Sequence, residues 1–263
     1  IRTRFAKFFT QFTHIESLVS TTYSKERFLD KNINSKALMF YRLIDKYTAK
    51  YWVDHFHSIS ETVKLHYKEQ LGIPDQKITV IYRGRTPLKN QIRLNKKSSD
   101  CITLINVGRN EYAKGQIYFV KSLKNLKELG YNFRAQIYGR EGNSTNAIKE
   151  FIFKNNLEDC VSLEGYTDQI SEKLLIADIF IFPSLYEGLG GALIEAQAAG
   201  LPIVCSDIPV LHEVVIQNKN AKFFESRDID SLVNAIRFYL DKPEKIKEFG
   251  EVVFYTYLNM PTI

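Results

Sequence analysis

Residues 101–139, CITLINVGRNEYAKGQIYFVKSLKNLKELGYNFRAQIYG, contain the pattern that decides the fold. The apolar run Cys101–Val107 predicts a buried strand, Lys114–Leu129 has the spacing of an amphipathic helix, and Phe133–Tyr138 predicts a second strand. A glycine follows each of the three, as expected where strands turn and helices end. Strand, helix and strand of these lengths predict a right-handed crossover between parallel strands.

The same alternation continues to residue 240. Further strands are predicted at Val161–Leu163, Asp178–Phe182, Ile203–Cys205 and Lys222–Phe224. Further helices are predicted at Asn146–Asn155, Ser171–Ala177, Ala192–Ala199 and Ile229–Leu240, and Val210–Val215 adds a shorter element. We therefore expect an α/β domain over residues 96–263, with a doubly wound parallel sheet between helices. Ligands bind beyond the carboxyl ends of such strands, where the strand order reverses.

Residues 1–95 show fewer strands. Their predicted elements are a long amphipathic stretch at Ser35–His57, a helix at Glu61–Leu71, short strands at Phe56–Ile59 and Lys77–Tyr82, and a linker at Arg83–Ser99. A doubly wound domain should open with strands. We therefore expect residues 1–95 to be the incomplete remainder of an N-terminal domain together with its linker.

Charge is unevenly distributed along the chain of 263 residues, whose net charge is +6. Residues 1–95 hold 17 Lys and Arg against 8 Asp and Glu, a net of +9, and residues 96–263 hold 19 against 22, a net of −3. The basic part suggests an anionic partner: a membrane surface, a nucleic acid or a phosphorylated substrate. Ile1–Phe9 and Lys36–Tyr51 are the segments that could lie on anionic lipid, and a solvated basic surface is the alternative.

Composition limits the class of protein. With 44% hydrophobic residues the chain can form a proper core. Its three cysteines are odd in number, far apart and outside metal-ligand spacing, which favours a reducing cytosol over a secreted disulfide scaffold. The sequence shows no apolar run of about 18 residues and no signal peptide, although it begins at Ile1.

Three short motifs resemble metal sites. Asp228-Ile229-Asp230 is a D-x-D, but it opens a predicted helix, where aspartate is favoured as a cap. His55 and His57 could share a strand face, yet the sequence offers no third ligand. His212-Glu213 begins an H-E-x-x-H pattern whose second histidine is missing. We expect no metal ligands in these motifs.

Residues 183–207, PSLYEGLGGALIEAQAAGLPIVCSD, carry the richest chemistry. Three glycines stand near the start of a predicted helix: Gly188, Gly190 and Gly191. They let the backbone approach a ligand, and the free N–H groups and helix dipole favour a phosphate. Glu187 precedes the helix and Glu195 lies within it, and carboxylates suit the vicinal hydroxyls of a ribose or hexose. The alternative is a glycine-rich turn with Glu195 on the helix surface.

Residues 108–115, GRNEYAKG, form the second candidate segment. Arg109 leaves the end of a predicted strand and Lys114 opens the predicted helix that follows. Two cations beside a crevice can neutralise a diphosphate, most of all when it departs with extra charge. Taken alone, such residues are usually solvated. Placed at the same sheet edge as residues 183–207, they predict a site for a nucleoside-diphosphate sugar.

Together the two segments resemble the retaining GT-B glycosyltransferases of family GT4. The G-R-x(4)-K-G loop spans residues 108–115, and the E-x(7)-E signature joins Glu187 to Glu195. The sequence from Tyr186 to Ala196 is similar to that of family members that build bacterial polysaccharides. The resemblance covers roughly Ser58 to Leu240. It implies two Rossmann-like domains, the first of them truncated here. Val252–Ile263 shows no sign of the long helix that normally returns to the first domain.

The resemblance implies a role for each matching position. Arg109 and Lys114 would hold the diphosphate, Glu187 the hydroxyls of the donor sugar and Glu195 the ribose. Backbone N–H groups from Leu189 to Gly191 would meet the sugar and the distal phosphate, within the turn that begins at Gly188. Gly139 and the turn at Tyr166 and Thr167 would lie against the nucleobase, and Gly108 opens the diphosphate loop.

The resemblance also implies a mechanism without a metal or other cofactor. Attack on the front face would retain the anomeric configuration, with the departing phosphate helping to deprotonate the acceptor. No protein nucleophile is then needed, so stabilisation of the leaving group carries the rate. Arg109, Lys114 and Glu187 are accordingly the expected catalytic residues.

The expected function is transfer of a sugar from a UDP- or GDP-sugar to a glycan or lipid-linked acceptor in cell-surface polysaccharide synthesis. The expected location is the cytoplasm, with peripheral contact at the inner membrane face. The alternatives are a donor-binding fragment without activity, another GT-B enzyme such as an epimerase or phosphorylase, and a nucleic-acid binder. The last rests on the basic N-terminal part alone, without a recognised motif, and no nucleic acid is expected as a partner.

Overall fold

Parallel strands run through both parts of the chain in the computed structural model, which describes residues 2–7, 9–83 and 101–258. The described residues form two units. The first holds the residues before Gly84 together with Tyr186–Leu189, and the second holds the remaining residues. The predicted linker at Arg83–Ser99 lies almost wholly outside the described residues.

The first unit contains a three-stranded parallel sheet in the order β1-β2-β3. Its strands are β1 (Ile15–Leu18), β2 (His55–Ser58) and β3 (Ile78–Val80). Its helices are α1 (Arg2–Ala6), α2 (Lys25–Phe28), α3 (Ser35–Trp52) and α4 (Glu61–Leu71). Strand β1 is too short for its pattern to predict it, because its residues alternate between exposed and more buried positions over only four residues.

Local signals explain where the helices of the first unit begin and end. The side chain of Asn34 accepts a hydrogen bond from Ala37 N at the start of α3, and Ser60 Oγ accepts one from Val63 N at the start of α4. Gly72 ends α4 with a left-handed backbone, φ +69°. The predicted range of α4 is confirmed, whereas the predicted stretch at Ser35–His57 divides into α3 and the beginning of β2.

The second unit contains a six-stranded parallel sheet in the order β6-β5-β4-β7-β8-β9. Its strands are β4 (Ile102–Val107), β5 (Phe133–Tyr138), β6 (Val161–Gly165), β7 (Ile179–Phe182), β8 (Ile203–Ser206) and β9 (Ala221–Phe224). Its helices are α5 (Gln116–Glu128), α6 (Thr145–Lys154), α7 (Ile170–Ile176), α8 (Gly191–Ala198), α9 (Ile229–Leu240) and α10 (Glu244–Leu258). The predicted doubly wound parallel sheet is confirmed.

Apolar side chains of the sheet and the helices form the core of this unit. Leu104 on β4, Ile181 on β7 and Val204 on β8 are fully buried, as are Phe119 on α5 and Ile236 on α9. All four residues of β7 and all four of β8 are buried, as expected of central strands in a parallel sheet covered on both faces. This core holds the strand ends, and the loops that follow them, in place.

Two helix predictions are wrong in detail. Lys114 does not open α5, because it ends a short 3-10 helix, Tyr112–Lys114, and Gly115 with φ +62° separates it from α5. The C-terminal stretch from Val252 is helical as far as Leu258, as part of α10. Its Gly250 packs against the loop after α8, where an added β-carbon would lie 2.6 Å from Gly200 O. A glycine at position 250 therefore allows α10 to pack closely against this loop.

None of the helices in the described ranges is both long and apolar enough to span a lipid bilayer.

Candidate functional site

The order of strands in the second sheet reverses between β4 and β7. From β4 the chain proceeds outward through β5 and β6, and from β7 it proceeds in the other direction through β8 and β9. Gly108 begins the loop after β4, and Pro183 begins the loop after β7. In doubly wound sheets, ligands bind beyond the strand ends at this point. The two segments that the sequence singled out are the loops that leave these two strands.

Backbone contacts join the two loops. Leu185 N donates a hydrogen bond to Ala113 O at 2.8 Å. A β-carbon built at Gly115 would lie 1.9 Å from Pro183 O, so no side chain fits between the loops there. The left-handed backbone of Gly115 also favours glycine. The last glycine of the G-R-x(4)-K-G segment is thus required by the packing of one loop on the other.

Lys114 and the start of α8 contact the same aromatic ring. The Lys114 ammonium lies 5.9 Å from the centroid of the Phe182 ring, at the last residue of β7. Gly190 precedes α8 with φ +86°, and a β-carbon there would lie 3.4 Å from Cε1 of Phe182. Lys114 and Gly190, the residue before the first residue of α8, therefore both lie beside the Phe182 ring. A cation beside a helix amino terminus forms an electropositive surface suited to a phosphate.

Arg109 is engaged within its own loop. Its Nη1 donates to Glu111 Oε1 at 2.9 Å, and 57% of its side chain is exposed. The side chain of Gln116 fixes the backbone of this loop, because its Nε2 donates to Gly108 O at 3.0 Å and to Arg109 O at 3.2 Å. A guanidinium has five N–H donors, so one contact to Glu111 does not exhaust its capacity for an anion.

The two glutamates of the E-x(7)-E segment fall in different units. Glu195 is half-buried in the second turn of α8, in the second unit. Glu187 is half-buried in the Tyr186–Leu189 stretch of the first unit, and Leu189 is buried. Within that unit Ser60 Oγ donates to Gly188 O at 2.7 Å.

Gly188 is also a position of close approach. A β-carbon at Gly188 would lie 2.0 Å from Val19 O within the first unit. Any larger residue would have to displace this backbone. The glycine at 188 is therefore needed for packing, whatever ligand its backbone binds.

Glycines also stand at the ends of β4, β5 and β6. Gly108 N donates to Tyr138 O at 2.9 Å, and Gly139 N donates to Gly165 O at 2.8 Å. A β-carbon at Gly139 would lie 2.0 Å from Gly108 O. These contacts align the three strand ends side by side. Packing therefore requires a glycine at position 139, independently of the predicted contact with a nucleobase.

Tyr166 and Arg140 form a cation–π pair at the ends of β6 and β5. The Arg140 guanidinium carbon lies 4.7 Å from the centroid of the Tyr166 ring, and 65% of Tyr166 is exposed. The side chain of the neighbouring Thr167 forms a local contact, in which its Oγ1 accepts a hydrogen bond from Gln169 N at 3.1 Å. The pair presents an aromatic ring and a planar cation, both of which can stack on a base.

Sequence reasoning missed several residues that hold these loops. Gln116 is buried beneath Arg109, and the buried Asn110 joins its backbone to Arg140 O and Ser144 N. Asn106 Nδ2 donates to Ile181 O at 2.9 Å and so ties β4 to β7 at the reversal point. The available signal was a polar residue inside an apolar run, as Asn106 is in CITLINV.

The motifs that resembled metal sites have other partners. The side chain of Asp228 accepts a hydrogen bond from Ser231 N at 2.8 Å, which confirms the predicted cap of α9. His55 Nε2 lies 2.8 Å from Thr79 Oγ1, and His57 Nε2 lies 3.0 Å from Ile81 O. Over the described ranges, His, Cys, Asp and Glu form no group of three that could hold a metal ion.

Known proteins share this sequence pattern and this fold. The family model of the glycosyl transferases group 1 matches residues 87–253. The amylovoran biosynthesis glycosyltransferase AmsK of Erwinia amylovora is 32% identical over 170 residues, which cover 62% of this chain and 42% of that protein. An Escherichia coli enzyme described as UDP-Gal:alpha-D-GlcNAc-diphosphoundecaprenol alpha-1,3-galactosyltransferase is 31% identical over 182 residues, or 64% of this chain and 46% of that protein. The chain thus spans less than half the length of these two relatives.

A solved structure extends the likeness across both units. The crystal structure of a TarM mutant of S. aureus, in complex with Fondaparinux, alpha-GlcNAc-glycerol and UDP, has a TM-score of 0.78 at 19% identity. The match covers 99% of this chain and 51% of TarM. The expected GT-B fold, built from α/β units with parallel sheets, is confirmed. Because the family model accounts for more than half of its residues, the chain belongs to the glycosyl transferases group 1.

Proposed function

We propose that this chain binds a nucleoside-diphosphate sugar and serves a retaining glycosyltransferase of family GT4, which moves the sugar to a glycan or lipid-linked acceptor. The observation that supports this most directly is that Lys114 and the start of α8 both lie beside the Phe182 ring, at the reversal point of the sheet. A diphosphate carries charge that suits both groups. The joined loops supply a preorganised place for it.

The proposed roles follow the two loops. Lys114 and Arg109 hold the diphosphate and stabilise it as it leaves with additional negative charge. Backbone N–H groups of Leu189, Gly190 and Gly191 bind the distal phosphate and the sugar. The reaction needs no metal in this proposal, because two cations and a helix dipole offset the charge that a metal would otherwise offset.

The remaining contacts determine the donor's orientation. Glu187 binds hydroxyls of the sugar and Glu195 the ribose, since a carboxylate can accept two hydrogen bonds from neighbouring hydroxyls. Tyr166, Thr167 and Gly139 lie against the nucleobase, with Arg140 over the Tyr166 ring. Gly108 and Gly188 allow the backbone approaches on which both loops depend.

The named relatives guide the choice of donor and acceptor. The galactosyltransferase of Escherichia coli is named for a UDP-sugar and a diphosphoundecaprenol acceptor, and TarM was solved with UDP. AmsK is named for amylovoran biosynthesis. We therefore place UDP-sugars before GDP-sugars as donors, in the synthesis of a cell-surface polysaccharide. A lipid-linked acceptor would bring the protein to the cytoplasmic face of the membrane as a peripheral protein.

Calorimetry with UDP, GDP and ADP tests the donor site, each with and without Mg²⁺. We expect one nucleotide to bind without Mg²⁺ and Lys114→Ala to weaken its binding about 30-fold, because a hydrogen bond to a charged group contributes about 2 kcal/mol. Lys124→Ala is the matched control, since this lysine lies on α5 and pairs with Glu128. No binding by any nucleotide, or equal binding by Lys114→Ala and Lys124→Ala, would rule the site out.

Turnover distinguishes an enzyme from a donor-binding unit without activity. A protein that binds UDP is supplied with the UDP-sugar and a lipid-linked acceptor, and the product is followed by proton NMR. Retention predicts the same anomeric configuration in the product as in the donor. Inversion would contradict the GT4 assignment, and binding without turnover would support the donor-binding unit.

A further inference from the structure

Helix α3 exposes an unusual combination of side chains. Apart from Ser35 and Tyr41, its exposed positions recur every three or four residues and are Lys36, Met39, Phe40, Leu43, Lys46, Tyr47, Lys50 and Tyr51. At 100° per residue they fall within an arc of about 140°, and we call this arc the α3 face. Phe40 is 62% exposed, Leu43 65% and Tyr47 61%. The opposite side of α3, including Leu38, Thr48 and Ala49, is buried.

All charged residues of the α3 face are cationic. The sequence of α3 contains one carboxylate, Asp45, and that residue is buried on the opposite side of the helix. There Asp45 pairs with the buried Arg4 and accepts a hydrogen bond from the Tyr23 hydroxyl at 2.7 Å. The only negative charge of α3 is therefore neutralised in the interior, and Lys36, Lys46 and Lys50 set the potential of the face.

The apolar residues of this face suit an interface between water and hydrocarbon. Tyr47 and Tyr51 lie with ring centroids 4.9 Å apart, and Lys50 extends over Tyr51 with its ammonium 5.2 Å from the ring centroid. Tyrosine places an apolar ring beside a polar hydroxyl, and lysine can bury its stem while its ammonium stays in water. Helix α3 does not meet the requirements for a membrane span. Its composition instead matches a helix that lies in the plane of a membrane surface.

We propose that the α3 face docks on an anionic lipid bilayer. Phe40, Leu43 and Tyr47 enter the boundary between headgroups and acyl chains, and the three lysines contact anionic headgroups. Charge favours this occupant over a second copy of the chain, because two α3 faces brought together would juxtapose their lysines. The proposal goes beyond the donor site, which lies in other elements, so it stands whether or not a nucleotide binds.

Vesicle co-sedimentation tests this docking surface. The chain is mixed with vesicles of phosphatidylcholine alone or of phosphatidylcholine with phosphatidylglycerol, at low and high salt. We expect binding to the anionic vesicles and weaker binding at high salt. The double variant Lys46→Glu/Lys50→Glu should lower the partition coefficient at least about tenfold, since each lysine near an anionic surface contributes about fivefold. Phe40→Ser/Tyr47→Ser should also lower it, because the aromatic rings are proposed to insert.

Helix α6 supplies a matched control. Lys149 and Lys154 are exposed there beside Phe153, which is 72% exposed, so Lys149→Glu/Lys154→Glu changes the net charge by the same amount. This control should keep the binding of the unaltered chain. The proposal is overturned if anionic vesicles do not bind the chain, if both charge variants bind equally, or if the chain self-associates through the α3 face without lipid. Calorimetry with UDP on the same variants should give unchanged nucleotide binding, because the donor site lies in other elements.

Discussion

A glycine can be required by a left-handed backbone or by a lack of space for a side chain. Gly115 and Gly130 allow these two requirements to be compared. Gly115 and Gly130 both have a left-handed backbone, with φ +62° and +83°. A β-carbon at Gly115 would lie 1.9 Å from Pro183 O, whereas one at Gly130 would meet nothing within 4 Å. The backbone conformation is thus similar at the two positions, but only at Gly115 is there no room for a side chain.

We predict that Gly115→Ala costs about 3 kcal/mol in the free energy of unfolding and Gly130→Ala only about 1 kcal/mol. Both substitutions place an alanine in a left-handed backbone, which is unfavourable. Only the alanine at position 115 would also push apart the loops after β4 and β7. Urea unfolding followed by circular dichroism measures the difference. The proposed binding of UDP should disappear in Gly115→Ala and persist in Gly130→Ala. Equal costs would show that the contact with Pro183 carries no energy.

Among the elements, a buried ionic network links α1, β1 and α3. Arg4 of α1 donates to both oxygens of Glu16 on β1 at 2.6 Å, and to Thr48 Oγ1 on α3 at 2.7 Å. It also pairs with Asp45. Arg4 is 2% exposed, so this basic residue of the N-terminal segment is an internal cation that no lipid surface reaches. This corrects part of the interpretation of Ile1–Phe9 as a lipid-binding segment.

Arg4→Met should destabilise the first unit by about 4 kcal/mol, because the buried Asp45 and the half-buried Glu16 would be left without their cation. Fluorescence of Trp52, the chain's single tryptophan, reports the unfolding of this unit. Lys7→Met is the control. Lys7 pairs with Asp54 at a more exposed site, and its loss should cost less than about 1 kcal/mol. A cost for Arg4→Met as small as that of Lys7→Met would contradict the proposed importance of the network.

The elements also show where sequence patterns succeed and fail. The α9 and α4 ranges were predicted correctly because periodicity, caps and end signals agree there. Helix α10 was missed, and its interior Gly250 is unfavourable for a helix by itself. The backbone of Gly200 approaches that position so closely that a side chain would not fit. Tertiary packing therefore overrides local preference in α10.

At the scale of the whole molecule, acid should weaken the first unit through His66. Its Nε2 accepts a hydrogen bond from Tyr23 N at 3.0 Å, so this nitrogen carries no proton. Burial, followed by the charge of Arg42, lowers the pKa of His66 from 6.5 to about 4. Between these values the unfolded chain binds a proton that the folded chain does not, so stability falls as the pH decreases.

We expect the free energy of unfolding of this unit to drop by about 2 kcal/mol from pH 7 to pH 5 through His66. The loss should level off once the pH is below about 4, where both states bind the proton. Urea titrations monitored by Trp52 fluorescence measure it, with His66→Gln as the comparison because its amide keeps an acceptor for Tyr23 N. Glu16, whose pKa is lowered by Arg4 against the opposing effect of burial, acts only at lower pH. If His66→Gln keeps the full decrease between pH 7 and pH 5, another group is responsible.

Much of the candidate site could be anticipated because its signals are local. The glycines at 108, 115 and 190, the cation at 114 and the strands before them are all visible in two short segments. The contacts that hold the loops could not be read in this way. Asn106, Asn110 and Gln116 form hydrogen bonds with backbone atoms of residues elsewhere in the sequence, and no periodicity marks these partners.

The sequence by itself determined the alternation of strands and helices, the doubly wound parallel sheet and the two loops at its edge, because hydrophobic periodicity and glycine positions are properties of neighbouring residues. Only the tertiary structure decided that Lys114 and the start of α8 lie beside the same ring, Phe182, that Arg109 pairs with Glu111, and that Arg4 and Asp45 neutralise each other inside the first unit. Those outcomes depend on distances between side chains that folding brings together, and such distances are set by packing between elements.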